Sequence, residues 1–206
     1  MSLQFNLDKN TNVAPIQFNL NKRSKFIVKL FWDTAHDLDI HLFLLTNGKI
    51  AGQQDFISYA NEALVRVEDP SILHKASDKN IPFMNISGSV KHMGDARTGI
   101  NLDARKPDET AEIDTSLVEA GHTEIPVFIS GYPENSVLFR DVKDCYMIVE
   151  DDTGAELFKA NLTSEFDQFT GVQMGSFVKE PTNGWMFKPV AVGFNNGLGD
   201  IIGAFT

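Results

Sequence analysis

Two carboxylates on one strand-like stretch, Asp37 and Asp39, are the residues whose types and spacing most clearly suit chemistry. They lie in KFIVKLFWDTAHDLDIHLFLL, residues 25–45, where the remaining positions are mostly apolar. Side chains alternate between the faces of a strand, so both acids lie on one face, roughly 6.6 Å apart. Carboxylates this close repel each other unless a cation lies between them. The pair therefore predicts either a metal site or two solvated acids at a strand end.

Other oxygen-bearing side chains recur where further strands are predicted to end. Asp33 precedes the pair across a short turn, Asp55 and Asn61 bracket the stretch DFISYAN, and Asp95 lies in the loop GDARTG. Calcium binds about six to eight oxygens from carboxylates, amides, backbone carbonyls and water. Because the chain has no EF-hand loop, such a site requires the fold to bring separate strand ends together. The candidate ligands from this reasoning are Asp33, Asp37, Asp39, Asp55, Asn61 and Asp95.

Catalytic alternatives have less support in the sequence. Asp37 and Asp39 resemble the acid and base of a glycosidase, but that chemistry also needs a sugar cleft with exposed aromatic residues. The aromatic residues here fall mostly in patterns suited to burial. The sequence contains no G-x-S-x-G motif, no H-x-x-x-H pairing typical of zinc and no glycine-rich phosphate loop. We therefore expect a binding protein rather than an enzyme, and keep a carboxylate hydrolase as the weaker alternative.

Short β-branched and aromatic runs separated by turn signals predict most of the elements. Asn47-Gly48 indicates a hairpin, and Pro189 predicts that the last strand is an edge strand or carries a bulge. The predicted fold is an all-β, two-sheet β-sandwich of mostly antiparallel strands with a few short helical turns. The main predicted strands are 26–32, 37–45, 55–61, 124–132, 142–149, 155–162, 171–179 and 185–194.

The remaining segments are harder to assign. The residues from Glu62 to Met84 resemble an insertion, and 87–93 follows a strand pattern. The stretch 101–112 is polar, and 116–119 predicts a single helical turn. The repeated stretches QFNLDK and QFNLNK near the start indicate a pair of edge strands. The glycine-rich apolar tail, 195–206, predicts either a short helix that covers an open end or a surface for a partner.

Composition narrows the classes of protein further. A chain of 206 residues without a Pro/Gly/Ser-rich linker suits one domain spanning residues 1–206. Its formal charge of −10 argues against nucleic-acid binding, which requires a basic surface. Cys145, the single cysteine, lies in an apolar run that predicts a buried, inert thiol. The start of the chain lacks the features of a signal peptide, and no apolar run is long enough for a membrane helix, so we expect a cytoplasmic protein.

Taken in order, the motifs of this chain resemble those of TerD-type tellurium-resistance and stress-response domains. The resemblance covers nearly the full chain, and it depends on the order and spacing of the motifs, since each is short. The motifs are the QFNL repeat, Phe31-Trp32-Asp33, Asp37-Leu38-Asp39, Asn47-Gly48-Lys49, Asp55-Phe56-Ile57-Ser58-Tyr59, Gly94-Asp95-Ala96-Arg97-Thr98-Gly99, Gly184-Trp185-Met186-Phe187 and Gly193-Phe194-Asn195-Asn196-Gly197-Leu198.

This resemblance implies a calcium-binding β-sandwich without established enzymatic activity. It also implies a bacterial or phage setting, protein partners in a stress-response complex, and peripheral association with the inner membrane. By motif match, the implied metal-binding positions are Asp37, Asp39, Asp55, Asn61, Gly94 and Asp95, with Asp33 in support.

The chain departs from the family pattern in the loop that follows Gly94. Family members commonly have G-D-N-R-T-G followed by a dense run of acids, whereas this chain has Ala96 and the sparser acids Asp103, Asp108 and Glu109. If the family binds two calcium ions, these changes affect the second. A metal-independent structural or assembly sandwich, such as one encoded by a phage, is the alternative hypothesis, and the inserted segment 62–84 and the glycine-rich apolar tail motivate it.

Overall fold

The computed structural model describes residues 24–99, 106–133, 136–181 and 184–206. Within these ranges the chain forms two antiparallel sheets, as predicted. From edge to edge, the first sheet contains β12 (Glu156–Asn161), β11 (Tyr146–Asp151), β1 (Lys25–Phe31), β9 (Glu109–Asp114), β8 (Val90–His92), β7 (Phe83–Met84) and β6 (Val65–Arg66). The predicted pair of edge strands in the QFNL repeat lies outside the described residues.

The second sheet includes the strand that carries Asp37 and Asp39. Its main path is β14 (Gly184–Phe194), β13 (Gly171–Glu180), β10 (Glu124–Tyr132), β2 (Asp37–Phe43) and β5 (Phe56–Ile57). The short strand β3 (Leu45–Thr46) pairs with β10 and with β4 (Lys49–Ile50). The helices in the described residues are α1 (Leu162–Glu165) and α2 (Leu198–Ala204), with 3-10 turns at Gln53–Asp55 and Phe139–Asp141.

The main core lies between the two sheets and follows from the alternation of side chains. In β2, Leu38, Ile40 and Leu42 are fully buried and belong to this core. β1 contributes Phe26, whose ring centroid lies 5.1 Å from that of Phe177 in β13 of the other sheet. Burial of such large apolar side chains is the dominant stabilising contribution in a sandwich.

A smaller apolar cluster lies on the outer face of the second sheet. Phe43 and Phe128 project from β2 and β10, and the buried Ile201 of α2 packs against them. The backbone N–H of Ile50 also donates to the carbonyl oxygen of Phe205, which fixes the end of the chain to β4. Of the two alternatives predicted for the tail, the structure shows the short helix, which covers this sheet face rather than an open end.

Several strand predictions are confirmed closely. β10 has the predicted bounds, and Asn47 and Gly48 both have positive φ in the β3–β4 hairpin. β14 is an edge strand, and its register with β13 shifts next to Pro189. Cys145 is fully buried, and burial raises the pKa of its thiol, as an inert thiol requires.

Other predictions are corrected by the structure. No strand is predicted in the polar stretch 101–112, but its last residues begin β9, in which Glu109, Ala111 and Ile113 point inward. The charged residue Glu109 at the first inward position obscured the alternation of apolar and polar residues that predicts a strand. Only Phe56–Ile57 of the predicted strand 55–61 is extended, and 116–119 forms turns rather than a helix. Among the described residues, no helix combines the length and apolar character needed to cross a membrane.

Candidate metal centre

Asp37, Asp39 and Asp95 form an acidic triad at the junction of the two sheets. One carboxylate oxygen from each residue lies within 4.8 Å of those of the other two. Asp37 and Asp39 belong to β2 of the second sheet, whereas Asp95 lies in the loop that follows β8 of the first. The triad therefore joins residues separated by more than fifty positions in sequence, which is the convergence that a metal site built from strand ends requires.

An incompletely paired edge of β2 makes room for this arrangement. β10 pairs with β2 along Asp37–Leu42, but on the opposite side β5 pairs only with Leu42 and Phe43. At the unpaired part of that edge, the backbone N–H of Ile40 donates to Oε2 of Glu109, at 2.9 Å. A side chain from the first sheet thus satisfies a backbone donor that a neighbouring strand would otherwise satisfy.

Glu109 is the residue of this centre that sequence reasoning did not assign. It is fully buried, and its Oε1 also accepts a hydrogen bond from the backbone N–H of Ala96, at 3.2 Å. It therefore connects the strand that carries Asp37 and Asp39 to the loop that carries Asp95. Nε2 of His92 lies 3.2 Å from Oε2 of the same carboxylate. The alternation of Glu109 with Ala111 and Ile113 was the signal that could have placed it inside.

The loop that carries Asp95 depends on a glycine. Gly94 has φ of +115°, in the region that favours glycine. A Cβ at this position would lie 2.6 Å from the carbonyl carbon of Asn80, so the close approach of the two backbones excludes a side chain. The backbone N–H of Asn80 also donates to the carbonyl oxygen of Asp95, at 3.1 Å. The segment from Glu62 to Met84 therefore supports the Asp95 loop directly.

Burial and mutual repulsion disfavour the ionised form of these carboxylates. Burial, followed by the charge of Asp95, raises the pKa of Asp37 to about 6. Asp39 is only 3% exposed, and burial together with Glu109, Asp37 and Asp95 raises its pKa well above the ordinary value. Burial also raises the pKa of Glu109 strongly. A cation at this point would reverse each of these shifts, because it favours the charged form.

Arg97 supplies part of the missing positive charge. Its Nε donates to Oδ2 of Asp95 at 3.0 Å, and its Nη2 donates to the carbonyl oxygen of Ala76 at 3.2 Å. One guanidinium neutralises one of the three carboxylates. Oδ1 of Asp37 remains buried with no hydrogen-bond partner among the described residues. An orphaned buried oxygen beside two other carboxylates fits a hard cation, which binds oxygen ligands.

Asp55 and Asn61 lie away from the triad. The backbone carbonyl of Asp55 accepts from the N–H of Leu44, five residues beyond Asp39 and hence roughly 16 Å further along the strand direction. Its carboxylate lies 3.0 Å from Nε2 of His122 and accepts from the N–H of Gly52. The side chain of Asn61 bonds within its own loop, to Phe56 and other nearby backbone groups. Metal binding by these two residues stays a prediction that the observed contacts do not favour.

Metal binding by Asp33 and Gly94 also stays a prediction. The carboxylate of Asp33 is 51% exposed and lies 2.6 Å from Nζ of Lys143, in a surface ion pair. Gly94 contributes a backbone conformation rather than a side-chain ligand. His41 on β2 is fully buried, and its ring nitrogens lie within 3.0 Å of the hydroxyls of Ser58 and Ser130. Burial lowers the pKa of His41 to about 3, so the ring is neutral and packs as part of the interior.

Comparison with known proteins agrees with this fold. The model of the TerD domain family matches residues 3–205. A protein named Tellurium resistance protein TerD from Alcaligenes sp. is 27% identical, over 97% of this chain and 95% of the relative. One of the same name from Serratia marcescens is 28% identical, over 85% and 83% respectively.

A solved structure shows the same architecture. The crystal structure of a homologue of telluride resistance protein (TerD) from Streptomyces coelicolor A3(2) aligns with a TM-score of 0.66 and 15% identity. The alignment covers 89% of this chain and 96% of that one. At this identity the likeness concerns the fold, whereas the family match extends over nearly all of the sequence. The chain belongs to the TerD domain family.

Proposed function

We propose that this chain binds calcium through Asp37, Asp39 and Asp95, and acts as a non-catalytic interaction module in tellurium resistance or a related stress response. The observation that carries the proposal is the acidic triad itself, assembled from both sheets around the orphaned oxygen of Asp37. The names of the two curated relatives support the biological setting.

The donor set favours calcium over other metals. The triad offers only carboxylate oxygens, and the adjacent His92 is engaged with Glu109. Oxygen ligands suit calcium and magnesium rather than zinc or copper. Calcium tolerates irregular geometry and mixed ligands, whereas magnesium requires a near-ideal octahedron and retains its waters. Three carboxylates from a strand and a loop, with remaining positions for water or backbone oxygens, suit the more tolerant ion.

When bound, calcium would supply charge neutralisation and a link between the sheets. Asp37 and Asp39 would hold the ion from β2, and Asp95 would hold it from the loop after β8. Glu109 would keep both elements in place through the N–H groups of Ile40 and Ala96. This role requires no catalysed reaction, because calcium binding can serve an interaction module by ordering the surface that a partner contacts.

Calorimetric titration of the chelator-treated full chain with calcium tests the proposal. We expect saturable binding, weaker binding of magnesium, and loss of calcium binding in Asp39→Asn. Asp33→Asn is the matched control, because it removes an equal charge from an acid outside the triad. At about 100 times the dissociation constant, calcium should add about 2.7 kcal/mol to the free energy of unfolding. No heat and no change in melting temperature would refute calcium binding.

A further inference from the structure

A cavity of about 380 Å³ opens directly onto the acidic triad. Asp37, Asp39 and Asp95 form its floor, and the rings of Tyr59 and Tyr132 pack edge to face, with centroids 5.8 Å apart, at its side. Its volume falls within the range of about 300–1,000 Å³ that small-molecule sites occupy. The space is larger than a single hydrated ion needs.

Another wall of the cavity is formed by Arg97 and by part of the segment 62–84, which precedes the loop that carries Asp95. Ala76 and Ser77 line this wall, and Arg97 is held against it by its hydrogen bond to Ala76. A guanidinium has five N–H donors, and those of Arg97 bond one oxygen of Asp95 and one of Ala76. The fixed guanidinium therefore keeps donors for a further acceptor. Ser77 adds a hydroxyl that can donate or accept.

A divalent cation on the triad would offset the negative charge of the cavity. The three carboxylates then face two positive groups, the ion and Arg97. The positive charge of Lys79 also favours the ionised form of Asp37. The negative charge that would repel an anion is balanced. Calcium also retains coordination positions beyond those that three carboxylates fill, and these accept oxygen ligands. An oxyanion that touches both the ion and Arg97 would satisfy both groups.

We propose that this cavity binds the phosphate group of a small phosphate ester, whose oxygens are shared between the cation on the triad and the guanidinium of Arg97. The fork of an arginine matches phosphate oxygens in geometry and charge. The tyrosine side of the cavity leaves room for the organic part of the ester. The inference rests on the calcium site proposed above. A soluble ester and a lipid headgroup share this chemistry.

The test is calorimetric titration of phenyl phosphate into the calcium-saturated full chain, with phenol as the control for the ring. We expect saturable binding that requires calcium and is at least about tenfold weaker in Arg97→Gln, about 1.4 kcal/mol. Lys143→Gln, which removes an equal charge at an exposed site, should bind phenyl phosphate normally. If Arg97→Gln does not fold, Arg97→Lys and Ser77→Ala replace it, and each should weaken binding.

The outcomes separate this inference from the calcium proposal. Calcium binding without phenyl phosphate binding would overturn the inference alone, and absence of calcium binding would overturn both. Equal binding of phenyl phosphate by wild type and Arg97→Gln, or without calcium, would also overturn it.

Sedimentation with phosphatidylcholine vesicles that contain phosphatidic acid distinguishes the sources of the phosphate. Binding that depends on Arg97 there, in addition to phenyl phosphate binding, supports a lipid headgroup. Phenyl phosphate binding alone supports a soluble ester. Vesicle binding without phenyl phosphate binding contradicts the proposed cavity site.

Discussion

At the scale of single residues, the centre is a group of buried acids held in an unfavourable state. Asp37, Asp39 and Glu109 all have a raised pKa, mainly because burial penalises their charged forms. Either protons or a cation can relieve this cost. The two solutions compete, because a carboxylate that binds a proton binds a metal ion poorly.

This competition predicts opposite pH dependences with and without calcium. Asp37 has a pKa of about 6 in the folded chain against an ordinary 3.8, so between these values the folded state binds more protons than the unfolded state. Its contribution to the stability of the metal-free protein is present below about pH 4 and lost as the pH rises through about 6. Calcium affinity should instead increase over the same range. Thermal unfolding with chelator measures the first trend, and calcium titrations across these pH values measure the second. In Asp37→Asn, the part of each pH dependence that Asp37 contributes should disappear.

A second residue-scale prediction concerns Glu109. Replacing it with alanine leaves the N–H groups of Ile40 and Ala96 without their acceptor, so Glu109→Ala should lower the free energy of unfolding by about 1–3 kcal/mol. Calcium affinity should fall as well, because the Asp95 loop loses its attachment to β2. Glu112→Ala is the control, since Glu112 lies on the other face of β9. If urea denaturation showed that Glu109→Ala and Glu112→Ala lower the free energy of unfolding equally, this role of Glu109 would be contradicted.

Individual residues show which parts of the candidate site could be predicted from the sequence. The pairing of Asp37 with Asp39 follows from the period of two in a strand, and in the structure a carboxylate oxygen of each lies within 4.8 Å of one of Asp95. Asp55 was predicted on equal grounds, but local sequence holds no sign that His122 would occupy its carboxylate. Such pairings depend on long-range contacts, which a single sequence does not contain.

At the scale of elements, strands were predicted most accurately where the pattern of apolar residues is long and regular. The long strand β10 was predictable because its apolar run is uninterrupted, whereas β7 has only two residues and follows a polar stretch. Its strand pairing is set by tertiary context, which overrides weak local propensity. The same applies to the loop after β8, whose path depends on contact with Asn80.

That contact gives the prediction at this scale. Gly94→Ala should be more destabilising than Gly154→Ala by at least about 1 kcal/mol, with urea denaturation as the measurement. Both glycines have positive φ, +115° at Gly94 and +79° at Gly154, so the backbone strain of alanine is present at both positions and larger at Gly94. Only at Gly94 would the new Cβ meet other atoms, 2.6 Å from the Asn80 backbone, whereas nothing lies within 4 Å at Gly154. Equal effects would show that the loop can move away from Asn80 at little cost.

At the scale of the whole molecule, the second sheet requires cover on its outer face. Phe43 and Phe128 would expose large apolar surfaces without α2, and Phe205 packs edge to face against both. The alternative from sequence, a metal-independent structural or assembly protein, depended on this tail and on the inserted segment 62–84. In the structure the tail packs against the second sheet of its own chain.

Deletion of residues 195–206 should therefore lower the melting temperature and promote self-association, as light scattering after size exclusion would detect. The cause is the exposure of a contiguous apolar patch, which favours association. Gly199→Ala serves as the control, because a Cβ there meets nothing within 4 Å and alanine favours the helix. A truncated chain with unchanged mass and melting temperature would show that α2 contributes little to the fold.

The position of the triad between β2 and the loop after β8 also has a consequence for the lifetime of the folded state. An ion bound by both sheets must leave, or lose ligands, before the sheets can separate. If this occurs before the transition state for unfolding, the ion stabilises the native state without stabilising that transition state. Such interactions slow unfolding and leave the rate of folding almost unchanged. Calcium would then act on this sandwich chiefly by prolonging its residence in the folded form.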